Sequence, residues 1–423
     1  MIKTKKKVTI IAMGSRGDVQ PYVALGSGLM QAGFSVCIAT HRIFKEFVEE
    51  YGLEFAAVFP DDPRDFLLKS PGKMFLSGNP VISFIGSILF FGSFNTNLET
   101  MMDDCLNACV GSDAVLNTIV SPGLSIPEVL KIPCFVVGLW PASPTRQYPH
   151  PTMPYEFRGF FNLMGHKSAE YMMWVLFHSK TNKWRRSNKL NPISLSNGMF
   201  GYVRRKRYPW IFGYSPSILP RATDWPDTVN VTGYWFLSEH QRWNPPEYIT
   251  EFLSKGAPPV YIGFGSMVYD DTSRLTSVVI NALKRSGQRG ILSSGWTGLG
   301  NAELPENIIK VDYVPHNWLF KKVSSVIYHG GSGTTAAVLK AGVPSLVVPF
   351  LADQYFWGRT VHRIGAALKP MPKRCLNEDN LTQAIDKLSL DDEIRENAVI
   401  ISDKIKKENG IANAVDIIVK YLN

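Results

Sequence analysis

One pattern, used twice along the chain, constrains the fold more than any other feature. A short run that is apolar on both faces meets a glycine loop, and helix-forming sequence follows directly. Val8–Met13 runs into Gly14-Ser15-Arg16-Gly17-Asp18, and Pro21–Ala32 then has helical spacing up to Gly33. Val326–Tyr328 runs into His329-Gly330-Gly331-Ser332-Gly333-Thr334-Thr335, and Ala336–Ala341 continues as helix. Strands without a polar face, separated by helices, belong to a parallel sheet covered on both sides. Ser35–Thr40, Ala114–Thr118 and Cys134–Leu139 extend the first series; Pro259–Phe264, Ile291–Ser293, Ile308–Val311 and Ser345–Pro349 extend the second. The stretch Pro220 to Pro246 between them is proline-rich and lacks a helical period. The expectation is an α/β chain of two Rossmann-like domains facing across a cleft. The domains span 1–222 and 249–399, 223–248 is a linker, and 400–423 is a C-terminal helix packing back on the first domain.

Composition narrows the function classes. An apolar fraction of 45% and a charged fraction of 19% over 423 residues exclude a wholly disordered chain. Five cysteines, an odd number, argue against a disulfide scaffold and for a reducing compartment. Lys3 to Lys7 precede an apolar run too short for a secretory signal, and no segment has the ~20 apolar residues of a membrane span. The expected location is the cytoplasm or a membrane surface. The net charge of +9 suits an anionic partner. Nucleic acid is not favoured, because no recognition motif accompanies the charge. The uncharged run Val81 to Phe94 reads either as a buried helix or as an apolar lid that meets a greasy substrate or a bilayer surface. Arg185-Arg186 and Arg204-Arg205-Lys206-Arg207 read either as a solvated face or as contacts to an anionic bilayer.

The loops carry the chemistry. In an open parallel sheet, ligands bind beyond the carboxyl ends of the strands, which is where both glycine loops fall. Asp18 reads equally as a cap of a helix starting near Pro21 or as a general base for a hydroxyl. In the second loop, three glycines allow close backbone approach, and free helix amides with the Ser332, Thr334 and Thr335 hydroxyls supply donors for phosphate oxygens. Asp353 and Gln354, after Ser345–Pro349, reach the same sheet edge and suit sugar hydroxyls. Gly265 and Ser266 end the first strand of the second series at that edge. Trp296 reads as a stacking platform or as a core residue.

Taken together these strings resemble the UDP-sugar-dependent glycosyltransferases of the two-Rossmann (GT-B) type, and within them the sterol glucosyltransferase branch. The matching segments are GSRGDVQPYVALGSGL at 14–29, RQYPHP at 146–151, WPDTVNVTGYWFL at 225–237, PPVYIGFGSM at 258–267, HGGSGTTAAVLKAGVP at 329–344 and PFLADQYFWGRTVHRIG at 349–365. The resemblance implies inverting transfer of a hexose, glucose first among the candidates, from a UDP-sugar to a hydroxyl, with no metal and no cofactor. It implies Asp18 as the base, and Ser15, Arg16, Gly17, Gly265 and Ser266 around the donor. Trp296, Val314 and His316 fall near uracil and ribose, His329, Gly331, Ser332, Gly333 and Thr334 at the diphosphate, and Asp353 and Gln354 at the donor sugar. The acceptor, a sterol or another hydrophobic hydroxylated molecule, is expected on the first domain. Its expected walls are Phe84, Ile88 and Phe91, Trp140 and His150, and Tyr171 and Trp174. Transfer to a lipid, polyketide or peptide natural product, a nucleotide-sugar epimerase and a non-catalytic UDP-sugar-binding protein are the competing expectations.

Overall fold

The computed structural model describes residues 5–67, 69–75, 80–153, 156–238, 243–267, 271–296 and 298–422. The first sheet runs β3-β2-β1-β4-β5-β6-β7, from β1 (Lys7–Ile11), β2 (Ser35–Thr40), β3 (Glu54–Ala57), β4 (Ala114–Thr118), β5 (Cys134–Gly138), β6 (Trp210–Phe212) and β7 (Val229–Val231). The second runs β10-β9-β8-β11-β12, from β8 (Val260–Gly263), β9 (Gly290–Ser293), β10 (Ile308–Val311), β11 (Ser325–Tyr328) and β12 (Ser345–Val347). Every pairing is parallel. Ile10, Leu116, Ile262 and Ile327, from the middles of four strands, are completely buried, as sheets covered on both faces require.

In each sheet the order reverses beside the first strand. β1 lies between β2 and β4, and β8 lies between β9 and β11. Chain connections depart to opposite faces at such a point and leave a crevice beyond the strand ends. The two glycine loops open into these crevices.

Three expectations change in the structure. The helix after β1 spans Arg16–Gln31, so it starts five residues before Pro21 and holds that proline inside. Proline has no N–H, so the Gly17 carbonyl loses its usual helical donor. That carbonyl faces the other lobe, 3.5 Å from where a Cβ on Gly333 would stand. The proline-rich stretch is not free linker over the whole of 223–248. Residues 229–231 form edge strand β7, paired with β6. Arg221 staples the turn before it, donating to the carbonyls of Ala222, Trp225, Pro226 and Val229. The last segment divides into helices Asp392–Lys406 and Gly410–Leu422. The second packs on the first lobe, where Ala414, Val415 and Ile418 share a core with Val23, Leu25 and Ile38, while Ala398, Ile401 and Ile405 of the first helix share one with Ala336 and Leu339 of the second lobe and Phe212 and Tyr214 of the first lobe. Gly28 permits that approach, since a Cβ there would stand 2.3 Å from Ile411.

Candidate active site

The first glycine loop folds around Asp18. Ser15 is the N-cap of helix Arg16–Gln31 and Asp18 is its third residue. The Ser15 N–H and its hydroxyl both donate to Asp18 Oδ2, at 2.8 Å each. This is a capping box in which the acidic residue reaches back to the cap. It needs Gly14, whose φ is +126° and whose Cβ would lie 2.6 Å from Asp18 Oδ2. The Gly14 N–H donates to His41 Nε2 at 3.0 Å, and His41 Nδ1–H in turn donates to the Pro60 carbonyl. His41, at the end of β2, thus orients the loop from a distance the sequence analysis did not reach. Asp18 lies open to the solvent of the cleft, yet both lobes surround it. That enclosure pushes its pKa up, against the opposing pull of the two Ser15 bonds.

The second loop presents donors. Helix Ser332–Ala341 begins after Gly331, and its first amides have no helical acceptor. Gly330 has φ +93°, a conformation that favours glycine. His329 is wedged between loops: a Cβ on Gly331 would lie 2.5 Å from its Nε2, and one on Gly265, at φ +59°, 2.9 Å from its Cε1. Burial lowers the His329 pKa to about 4, so the ring is neutral at physiological pH, and its buried Nδ1 has no partner among the described residues. The Ser332 hydroxyl donates across the cleft to the Leu139 carbonyl at 3.0 Å.

The two loops meet at one cavity of about 260 Å³. From the sequence-derived set, Ser15, Gly17, Asp18, Trp140, Ser266, His329, Gly331, Ser332, Gly333, Thr334, Asp353 and Gln354 line it. Asp353 precedes helix Gln354–Arg363 but makes no capping bond; Trp357 Nε1–H donates to its Oδ2 at 3.1 Å. Its pKa is raised to about 7, first by burial and then by the charge of Asp18. Two carboxyls, one from each lobe, therefore sense each other across the cleft. Gln354 differs from expectation. Its Oε1 accepts the Phe350 and Leu351 N–H groups at 2.8 and 3.1 Å, and its Nε2 faces Met267 Sδ. The side-chain carbonyl clamps its own loop, which leaves only the amide NH₂ toward the cavity. Ala352, beside it, holds φ +51°.

Other donor-side residues stand outside that lining. The Arg16 guanidinium lies between the rings of Phe47 and Tyr313, at 4.3 and 4.9 Å, and Nη2 donates to the Tyr313 hydroxyl at 3.3 Å. It straps one lobe to the other. Trp296 is half-buried, with the Arg64 guanidinium 5.8 Å above its ring. Val314 is buried, and His316 stacks on Phe320 with ring centroids 4.4 Å apart. Gly265 acts through its backbone, whose carbonyl accepts the Trp296 N–H. Met13, Tyr22, Thr118, Leu139, Met267 and Ala352 also line the cavity; Tyr22, Met267 and Ala352 lie inside the matching segments at 14–29, 258–267 and 349–365, whereas Met13, Thr118 and Leu139 lie outside them.

On the acceptor side, Trp140 lines the cavity and packs edge-on against His150. His150 is buried behind it, bonded through Nδ1 to the Thr152 hydroxyl, with its pKa lowered to about 3 by burial and by His166. Phe91, on helix Pro80–Thr96, packs on Phe177 of helix Phe160–Ser187. The Phe84 and Ile88 side chains lie outside the described ones. Trp174 is a core residue, buried, with its ring N–H on the Ser194 carbonyl, and Tyr171 faces solvent; neither lines the cavity. The membrane reading of the two basic clusters loses three of their six cations to ion pairs. Arg185 is 1% exposed and bonds Ser125 and Glu128, Arg204 holds Glu170, and Arg207 pairs with Asp227.

Comparison with known proteins agrees with this geometry. Residues 8–149 match the glycosyltransferase family 28 N-terminal domain. Residues 296–419 match the C-terminal domain described as erythromycin biosynthesis protein CIII-like. The sterol 3-beta-glucosyltransferase of Arabidopsis thaliana is 33% identical over 434 residues, covering 98% of this chain and 68% of the relative. Sterol 3-beta-glucosyltransferases of Vanderwaltozyma polyspora and Candida albicans are 36% and 34% identical over 97% and 99% of the chain. The chain spans only 34% and 28% of those two fungal proteins' own length. Among solved structures, the glycotransferase of kitacinnamycin superposes with TM-score 0.74 at 16% identity, covering 99% of this chain and 100% of that one. Glycosyltransferase SsfS6 of Streptomyces sp. SF2575, complexed with thymidine diphosphate, gives 0.65 at 19% identity over 98% and 99%. The fold is therefore the GT-B arrangement of two Rossmann-like lobes, and the chain belongs to the glycosyltransferase family that includes the sterol 3-beta-glucosyltransferases.

Proposed function

We propose that the protein transfers a hexose, glucose first among the candidates, from a UDP-sugar to the hydroxyl of a sterol or another hydrophobic alcohol, with inversion at the anomeric carbon. The observation that carries this reading is a single cavity lined by a carboxylate of the first lobe and the amide-bearing turn of the second. In this mechanism the first amides of helix Ser332–Ala341 and its dipole take up the charge of the departing diphosphate. Asp18, its pKa raised by enclosure, accepts the proton of the acceptor hydroxyl as that oxygen attacks the anomeric carbon from the face opposite the leaving group. Asp353 and the Gln354 NH₂ hold sugar hydroxyls. The mechanism calls for no metal, because backbone dipoles supply the electrostatic stabilisation. Ser332 and Arg16 keep the lobes together and limit water at the reacting centre. The nucleoside diphosphate in SsfS6 and the sterol named for the relatives support this choice of donor and acceptor class.

The test is nucleoside-diphosphate release from UDP-glucose and other UDP-hexoses, with and without sterols and other hydrophobic alcohols, with products read by mass spectrometry. Release that requires the alcohol and a mass gain of one hexose on it support the proposal. Isomerisation of the sugar without acceptor, or binding without turnover, refutes it.

A further inference from the structure

Helix Phe160–Ser187 is 28 residues long, and its first half is inside out. Its buried face carries polar residues: Asn162 donates to the Arg146 carbonyl, and His166 bonds the Tyr148 carbonyl. Its solvent face carries Phe160, Phe161, Met164, Tyr171, Met172 and Val175, which are 60, 67, 43, 49, 52 and 47% exposed. Phe160, Phe161 and Met164 form one group and Tyr171, Met172 and Val175 another, each at three- and four-residue spacing and two turns apart, so both fall on one face over about 22 Å at 1.5 Å per residue. A soluble helix places such a stripe against its own core. An exposed contiguous apolar patch of this kind marks an interaction surface.

Charge decides what covers it. Arg158 precedes the stripe, Lys167 lies within it, and Arg186 follows on the same face; all three are exposed and form no ion pair among the described residues. The acidic residues nearby are spent: Glu156 pairs with Arg359 and Arg363, and Glu170 with Arg204. A second copy of the chain would bring these cations against their like, on a molecule of net charge +9. An anionic lipid surface satisfies both features, accepting the aromatic and methionine side chains into its interface and the cations at its headgroups. Leu89, on the apolar helix Pro80–Thr96 packed beside this one, is also exposed, at 48%. No helix among the described residues is long and apolar enough to cross a bilayer.

We propose that the solvent face of helix Phe160–Ser187 docks the protein on an anionic bilayer surface. Of the six cations at 185–186 and 204–207, Arg185, Arg204 and Arg207 are committed to ion pairs, and Arg186 belongs to the docking face. The biological purpose rests on the proposed hydrophobic acceptor, which a bilayer would contain, but the binding does not depend on sugar transfer.

The experiment is co-flotation of the protein with vesicles of phosphatidylcholine alone and of phosphatidylcholine with phosphatidylglycerol, at low and high salt, with Phe160→Asp/Phe161→Asp and Lys167→Glu/Arg186→Glu as variants. Gel filtration without lipid and transfer to a detergent-solubilised alcohol are measured in parallel. The expected result is binding to the anionic vesicles, weakened by salt, and at least about tenfold weaker partitioning for each double variant. Transfer to the solubilised alcohol should stay at the parent level. Absence of anionic-vesicle binding by the parent overturns the proposal. So does unchanged binding by both variants, or a parent dimer that Phe160→Asp/Phe161→Asp dissolves. Vesicle binding without any sugar transfer would retain this surface and remove the proposed activity.

Discussion

Asp18 carries two roles, and two substitutions separate them. Asp18→Asn keeps an oxygen that accepts the Ser15 N–H and hydroxyl, so the two 2.8 Å bonds of the cap survive while the base is lost. Asp18→Ala loses both. Removing a cap of this kind costs about 0.5–2 kcal/mol. The Ser15 N–H can turn to cleft water, so the lower half of that range applies. The carboxylate itself is unfavourable in the folded state. A raised folded pKa means that the native chain holds a proton the unfolded chain releases, so stability falls as pH rises through the window above 3.8. Asp18→Asn removes that penalty and should equal or exceed the parent in stability at pH 7, whereas Asp18→Ala should lie below Asp18→Asn at every pH. Both variants should lose about 10²–10⁴-fold in turnover. UDP affinity should hold or improve, because a negative charge facing the diphosphate is gone. The assays are acceptor-dependent UDP release, calorimetric titration with UDP, and thermal unfolding. Turnover of Asp18→Asn within about threefold of the parent would refute the base assignment. Equal destabilisation by Asn and Ala would refute the capping argument.

Asp353→Asn should raise the thermal midpoint at pH 8 and leave it unchanged near pH 3, since a carboxyl held at about 7 destabilises the fold only as pH climbs from the ordinary carboxyl range through 7; calorimetry at both pH values decides, and equal shifts would sink the idea. Arg16→Ala and Tyr313→Ala should each weaken UDP binding, with a coupling of about 0.5–1 kcal/mol in the double-mutant cycle, as expected of an exposed cation–π pair; strict additivity would show that the strap is idle. Gly14→Ala should cost on the order of 1–3 kcal/mol in unfolding free energy and displace Asp18, because its φ of +126° and the 2.6 Å approach to Oδ2 both oppose a side chain; wild-type turnover in that variant would contradict the geometry.

The sequence by itself determined the parallel α/β architecture, because runs apolar on both faces have no other burial, and it located both glycine loops, because a tight strand-to-helix turn imposes its own residue types. Asp18, His329 and Asp353 were legible for that reason: each sits within a few residues of a strand end whose direction the sheet sets. Tertiary structure decided where the side chains point. Gln354 has a motif position, yet its carbonyl closes its own loop. Arg16 has one too, yet it stacks between rings of two lobes. Trp174 and Tyr171 share one helix but lie on different faces of it, a difference of rotation that composition does not record. The Gly14 amide depends on His41, and Ser332 on Leu139, partners 27 and 193 residues away. The first pairing arises because parallel pairing brings the ends of β1 and β2 to one crevice, the second because the two lobes meet across the cleft, and no local window of sequence contains both members.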